Sequence, residues 1–286
     1  MKMLETWPPF EGNIEEIRRK FPFPLVTLAQ GEVPALVLRG AYKSKHCSSL
    51  VERFYERGLL YNPHETNRPH RVDIGTSFGK HWLDREEFFS HSGQTHELFS
   101  TLFEGYDDPI QTMYKTLAQL ATNKEVKTAC EPNGQLYGPA IFRAYYAGLG
   151  HGPHYDSVAK RTKAFDYQIS RFEHQFSGVL CFQNPDNEGE SGKPFLYNCP
   201  WNVTVQEQLN RRKFRQYVAK EGIERVQVDL EPGDLYFFLS ENIHEVPPVI
   251  GESPRVVLAI FFAMSLNDNE IYVWAWGRDM KKWREV

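Results

Sequence analysis

The chain has 286 residues, of which 41% are hydrophobic, so it can bury one large core, and a single domain with extensions is the simplest interpretation. Its formal net charge of −4 gives no general attraction to phosphate, which argues against nucleic acid as a partner. No run approaches the roughly 20 apolar residues of a membrane span, and the amino terminus lacks a signal-peptide core, so we expect a cytoplasmic protein with no membrane contact.

The first half of the chain is predicted to be mainly helical and the second half mainly strand. Residues 1–34 are rich in proline and are expected to wrap the surface, whereas 44–57 and 109–121 carry apolar residues at helical spacing. We therefore assign 1–135 to an N-terminal extension with buttressing helices in the same domain. The remainder is predicted as a β core at 136–265 with polar insertions at 157–175 and 200–222, followed by a C-terminal segment at 266–286.

Three residues in the β core form a potential metal site. His154 and Asp156 are separated by one residue, and in extended backbone residues i and i+2 project to the same side. His244 follows a strand, a Pro-Gly turn and a second strand within 226–239, which would bring it back to the first two. Two imidazoles and one carboxylate fill one face of a ferrous ion and leave the other open, as in non-haem iron oxygenases. The sequence therefore predicts an iron enzyme with His154, Asp156 and His244 as its metal ligands and catalytic residues.

Arg255 lies 11 residues after His244 and opens an apolar run, 256–262, that is typical of a buried strand. A guanidinium at the start of such a strand needs an anion, and its planar fork fits a carboxylate bidentately. A surface ion pair with Glu252 is the alternative for this arginine.

With this order and spacing, residues 140–265 resemble the Fe(II)/2-oxoglutarate-dependent dioxygenase superfamily. The resemblance implies a double-stranded β-helix, a jelly-roll barrel that is mainly β with flanking helices. It also implies Fe(II) as cofactor, 2-oxoglutarate and O2 as cosubstrates, and Arg255 as the residue that binds the far carboxylate of 2-oxoglutarate. The Arg-x-Ser pair of plant-type members is absent, so the hydroxyl partner of that carboxylate is left open, with Tyr146 and Ser253 as candidates.

The reaction expected from the resemblance is hydroxylation of a small carboxylate-bearing substrate, such as a free amino acid or a natural-product intermediate. Halogenating relatives replace the carboxylate ligand with a small residue, so Asp156 favours hydroxylation over halogenation. His151 precedes His154 by three residues, and other basic residues occur in the loop at 62–71 and in the first insertion. The candidates for substrate binding are His151, Arg68, Arg71, Arg161 and Arg171.

Several alternatives stay open at this point. Desaturation or cyclisation shares the same cofactor chemistry, and a protein hydroxylase differs only in its substrate. A cupin-like metal enzyme that does not use 2-oxoglutarate, or a metal-binding module without activity, is more distant. If the first insertion, 157–175, covers the site as a lid, a small-molecule substrate is favoured. An open, shallow site would instead favour a protein substrate. Tyr145 and Tyr146 point to opposite sides of their strand, so either one faces the pocket or both serve the core.

Overall fold

The computed structural model describes residues 7–65, 69–81, 83–161, 166–186 and 189–275, with Arg161 described by its backbone alone. Within these residues the strands form two sheets and the helices lie mainly in the first half of the chain. The strands are β1 (Phe10–Glu11), β2 (Ala35–Leu38), β3 (Arg71–Ile74), β4 (Glu125–Thr128), β5 (Ile141–Tyr145), β6 (His151–His154), β7 (His174–Gln183), β8 (Phe195–Pro200), β9 (Arg225–Gln227), β10 (Leu235–Leu239), β11 (Asn242–Val246), β12 (Arg255–Met264) and β13 (Glu270–Trp274).

The helices are mostly short, and two of them were expected from the apolar spacing. They are α1 (Ile14–Lys20), α2 (Pro24–Ala29), α3 (Ser44–Glu56), α4 (Phe78–His81), α5 (Arg85–Leu102), α6 (Pro109–Leu120), α7 (Val158–Arg161), α8 (Val203–Asn210) and α9 (Phe214–Glu221), with a 3-10 turn at Gln168–Arg171. The predicted helix 109–121 is α6, where the Asp108 side chain accepts hydrogen bonds from the first turn and Pro109 opens the helix. No helix in the described ranges is both long and apolar enough to cross a bilayer.

The larger sheet has the strand order β1-β2-β10-β7-β12-β13-β4, and β5 joins it by pairing with β12 and with β3. The smaller sheet has the order β6-β11-β8-β9. Most pairs are antiparallel, and the exceptions are β1 with β2 and β13 with β4. The hydrogen-bonded ladders of the two sheets do not join into a closed barrel.

The large sheet is buried on both faces, which explains the uninterrupted apolar sequences of β7 and β12. One face packs against α1, α3 and α6, in a core that includes Ile17, Phe54 and Met113. The other face shares a core with the small sheet, where Val179 and Tyr236 of the large sheet pack with Leu196 of β8. Residues of the large sheet therefore alternate between a helix-facing core and an inter-sheet space.

The large sheet includes strands from outside the predicted β core. β2 and β3 come from the predicted N-terminal extension and pair with β10 and β5, while β13 comes from the predicted C-terminal segment and pairs with β12. The predicted strand–turn–strand within 226–239 is present as β9 and β10, but these two strands belong to different sheets. Gly233 turns the chain between them with a φ of +100°, and a Cβ there would lie 2.3 Å from the carbonyl oxygen of Tyr42.

Candidate metal centre and cosubstrate site

Strand pairing in the small sheet brings the two predicted histidine ligands together. β6 and β11 are antiparallel, and His154 lies directly opposite His244 in their register. The two imidazole rings have centroids 4.1 Å apart. Ligands separated by about 90 residues in sequence therefore become neighbours through one strand pair.

Asp156 is held beside the histidines by its backbone. Its N–H donates to the carbonyl of Ser240, and the Ser240 hydroxyl donates to the Asp156 carbonyl at 3.0 Å. The Asp156 Oδ2 atom is 3.7 Å from His154 Nε2 and 3.6 Å from His244 Nε2. One potential ligand atom from each of the three side chains lies within 4.8 Å of the other two, and the residues are 4–7% exposed. The predicted triad thus converges on one buried point.

The hydrogen bonds of the two imidazoles define which nitrogen can bind a metal. His154 Nδ1 lies 2.8 Å from the carbonyl oxygen of Gly152, and His244 Nδ1 lies 2.9 Å from that of Asn242. A carbonyl only accepts, so each Nδ1 carries a proton and each Nε2, on the side of Asp156, is the nitrogen left to bind a metal. Two neutral imidazoles and one carboxylate on one side of a divalent ion fit Fe(II) with an open opposite side.

Arg255 lies in the space between the sheets. It is 6% exposed and pairs with Tyr145 in the β5–β12 register, with its guanidinium carbon 5.8 Å from the Tyr145 ring centre. Burial raises the pKa of the Cys181 thiol to about 12, and the positive charge of Arg255 opposes that rise. Across the described chain, no carboxylate forms an ion pair with Arg255, and Glu252 instead lies 3.9 Å from His64. The guanidinium is therefore available for the anion of a ligand.

His151 and Arg71 lie beside the metal ligands. The His151 ring centroid is 5.1 Å from that of His154, and its Nε2 is 3.5 Å from Arg71 Nη1. Arg71 itself forms a bidentate ion pair with Asp73, at 2.7 and 2.5 Å. Burial raises the pKa of Asp73, but the hydrogen bonds from Arg71 and the nearby charges of Arg71, Arg143 and Lys80 together hold that pKa well below its usual range.

The two candidates for the hydroxyl partner of 2-oxoglutarate lie in different places relative to Arg255. Tyr146 belongs to the helix-facing core, and its hydroxyl donates to the carbonyl of Tyr61. Ser253 precedes Arg255 by two residues, and its N–H donates to Asp186 Oδ1 at 3.3 Å. Tyr145, rather than Tyr146, lies on the side of the strand that faces Arg255 and His151.

Of the remaining basic candidates, only Arg171 has a described side chain, and its ion pairs do not involve the metal-site residues. Arg171 is 39% exposed at its side chain and forms ion pairs with Asp268 and Glu270 on the outer part of the fold. Arg68 and the side chain of Arg161 lie outside the described residues. Contacts of these three residues with substrate stay predictions.

Polar residues of the inter-sheet space that the motif did not indicate are Arg143 on β5 and Asp73 on β3. Arg143 shares its strand face with Tyr145 and is 8% exposed. A sequence signal was present, because an arginine inside the otherwise apolar run Ile141–Tyr145 needs a polar partner. Asp73 stands in a strand of only four residues, two of which are charged, so no strand was predicted there.

The sequence model of one protein family, described as the carrier-protein-independent halogenase WelO5, matches residues 13–275. The chain belongs to this family. The WelO5-family chain is therefore an Fe(II)/2-oxoglutarate-dependent oxygenase, which confirms the superfamily that its motif predicted. The predicted cofactor and cosubstrates, Fe(II), 2-oxoglutarate and O2, are confirmed with it, whereas a cupin-like enzyme without 2-oxoglutarate is not supported.

Solved structures with the same fold include an N-substituted L-amino acid dioxygenase from Burkholderia ambifaria AMMD. It matches with a TM-score of 0.60 and 16% identity, over 87% of this chain and 89% of that chain. Its complex with alpha-KG (2-oxoglutarate) matches with a TM-score of 0.55 and 15% identity, over the same shares of the two chains. These likenesses confirm the predicted mainly β jelly-roll class with flanking helices. No curated protein sequence matches the chain.

Proposed function

We propose that this WelO5-family enzyme hydroxylates a C–H bond of a small carboxylate-bearing substrate, an amino acid or an N-substituted derivative of one. One O2 is consumed, one of its atoms enters the substrate as a hydroxyl group, and 2-oxoglutarate is converted to succinate and CO2. Bound iron with 2-oxoglutarate supplies the oxidising chemistry, and the protein supplies position and exclusion of water.

The observation that carries the choice of hydroxylation is the carboxylate of Asp156, placed within 3.7 Å of both ligand nitrogens. A halide needs a coordination position of its own. His154, Asp156 and His244 would hold the iron together, so a halide would have to compete with the Asp156 carboxylate for a place on it. The name of the family favours halogenation as the second candidate, because its model is described as a halogenase.

The choice of a small substrate is supported by the described part of the first insertion. Tyr167, Ile169 and Phe172 are buried in one aromatic cluster with Phe261 and Trp274. The insertion is also tied to the turn after β10, where Lys160 Nζ lies 3.0 Å from Glu241 Oε2. An insertion fixed to the core next to the HxD segment favours an enclosed small molecule over a protein surface. The Burkholderia ambifaria relative is a dioxygenase of N-substituted L-amino acids, and this is the class of small molecule to test first.

Succinate formation tests the proposal. Anaerobically Fe(II)-loaded protein is exposed to O2 with 2-oxoglutarate, chloride and a panel of free and N-acylated L-amino acids, beside His154→Ala. We expect substrate-stimulated succinate from the wild type only, and a product heavier by one oxygen atom. A chlorinated product would establish the second candidate, loss of two hydrogens would indicate desaturation or cyclisation, and an absence of succinate with every compound would refute the proposal.

A further inference from the structure

Arg143 is a buried cation, and two of its three side-chain nitrogens have no hydrogen-bond partner in the described part of the chain. It is 8% exposed, and its guanidinium carbon lies 5.8 Å from the centre of the Phe261 ring. Its Nε and Nη2 atoms are buried and have no hydrogen-bond partner among the described residues. A buried guanidinium in this state is costly, and a ligand that accepts its hydrogen bonds would offset that cost.

The surrounding charges do not neutralise Arg143. The positive charge of Arg143 helps to lower the pKa of Asp73, so this carboxylate is near Arg143. The Asp73 oxygens, however, already accept hydrogen bonds from Arg71 at 2.5 and 2.7 Å, and Oδ2 lies 2.9 Å from Lys80 Nζ. Three cations therefore surround one carboxylate. This local excess of positive charge favours an anion beside Arg143.

Two further buried donors without described partners lie around the same phenylalanine. Trp274 pairs with Phe261 in the β12–β13 register, and its Nε1 has no partner. Gln175 lies diagonally across from Phe261, since it pairs with Ala263, two register positions along β7, and its Nε2 has no partner among the described residues. The unused groups around Phe261 are thus all N–H donors. They complement a ligand that presents acceptor oxygens, such as a carboxylate and an adjacent carbonyl.

Arg143 is distinct from the proposed 2-oxoglutarate arginine but lies next to it. In the β5–β12 register Arg255 pairs with Tyr145 and Arg143 pairs with Val257, so both arginines face the inter-sheet space from neighbouring positions. We propose that Arg143 binds the carboxylate of the primary substrate, while Gln175 and Trp274 donate to its other oxygens. This inference rests on the proposed function, since it names the group that recognises the substrate class.

The experiment measures the preference for a carboxylate and the effect of Arg143→Gln on it. N-acetyl-L-leucine and its neutral amide, N-acetyl-L-leucinamide, are titrated into anaerobic Fe(II)- and 2-oxoglutarate-loaded protein by calorimetry. Because hydrogen bonds to charged groups are the strong ones, we expect the wild type to bind the carboxylate about 10- to 100-fold more tightly than the amide. Arg143→Gln should abolish that preference and Arg143→Lys should restore part of it.

Arg53→Gln is the matched control, because Arg53 donates to the carbonyls of Leu102 and Glu104 on the helical side and should keep the wild-type preference. Ligand-free Arg143→Gln should melt no lower than the wild type, since it removes a buried unpaired charge. Equal preference in Arg143→Gln and the wild type, or no preference in the wild type, would overturn the inference. So would a loss of affinity for 2-oxoglutarate alone, which would assign Arg143 to the cosubstrate. Calorimetry needs no turnover, so a wild type that prefers the carboxylate but makes no succinate would count against the proposed function only.

Discussion

Replacement of Arg255 by methionine removes the guanidinium that we assign to the far carboxylate of 2-oxoglutarate and keeps an unbranched side chain at the start of β12. Arg255 is 6% exposed and no described carboxylate pairs with it, so its contact with a ligand would be charge-assisted and largely desolvated. Truncating one partner of such a pair costs about 2 to 5 kcal/mol. We therefore expect the Kd of 2-oxoglutarate to rise about 30- to several-thousand-fold.

Arg255→Lys separates charge from geometry. The ammonium keeps a positive charge near Tyr145 but cannot form the planar, bidentate contact of a guanidinium. The loss of one charge-assisted hydrogen bond should raise the Kd about 10- to 100-fold. The order of affinity is thus expected to be arginine, lysine, then methionine.

Calorimetry with two ligands identifies the carboxylate concerned. 2-Oxopentanoate keeps the chelating keto acid of 2-oxoglutarate but lacks its second carboxylate. The wild type should prefer 2-oxoglutarate strongly, and Arg255→Met should bind the two compounds with similar affinity. If Arg255→Met retained the wild-type preference, the second carboxylate would be bound elsewhere and the assignment of Arg255 would be wrong.

Three other predictions concern the metal ligands and the buried ion pair. Fe(II) or Mn(II) at about 100 times its Kd should raise the melting temperature by about 4 to 5 °C in anaerobic thermal scans, and an equal shift in His154→Ala would contradict the assignment of that ligand. Asp156→Gly should open a position for halide, so mass spectrometry in chloride buffer should show a chlorinated product that the wild type does not make. Asp73→Asn should lower the free energy of unfolding in urea by about 3 to 5 kcal/mol at neutral pH, because Arg71 loses the buried carboxylate with which it is paired. Because folding lowers the pKa of Asp73, its contribution to the free energy of unfolding is fully present above its ordinary pKa near 4 and is lost as the pH falls toward the folded-state pKa. If the stability difference between the wild type and Asp73→Asn stayed constant over that fall in pH, this explanation would be wrong.

The metal centre could be predicted because the sequence patterns that specify it are short. His154 and Asp156 are two residues apart in one extended segment, so backbone geometry alone places them together. The third ligand required only that the strand before His244 return to the same end of the fold, and the β6–β11 register does this. Helices α3 and α6 were predictable for the same reason, since their apolar spacing and the Asp108 cap lie within a few residues.

The polar surroundings of the centre depend on long-range pairing. Whether Tyr145 or Tyr146 faces the metal follows from which face of β5 meets the small sheet, and nothing in the local sequence states that. β3 contributes Asp73 although its charged sequence predicts no strand, because it gains its place by pairing with β5. Burial of Arg143 is visible only once both strands are in place.

The charges of the inter-sheet space also favour one form of the substrate nitrogen, a neutral amide, over a charged ammonium. Arg71, Arg143 and Arg255 carry positive charge there, while Asp73 is already paired and Asp156 is assigned to the metal. A substrate carboxylate is favoured by this arrangement, but the ammonium of a free amino acid would lie among cations without a described carboxylate to receive it. Acylation removes that ammonium and adds a carbonyl oxygen that the amide of Gln175 or the indole of Trp274 can bind. The electrostatics of the site therefore favour N-acylated over free amino acids, and the ratio of kcat/KM between matched pairs of the two measures that preference directly.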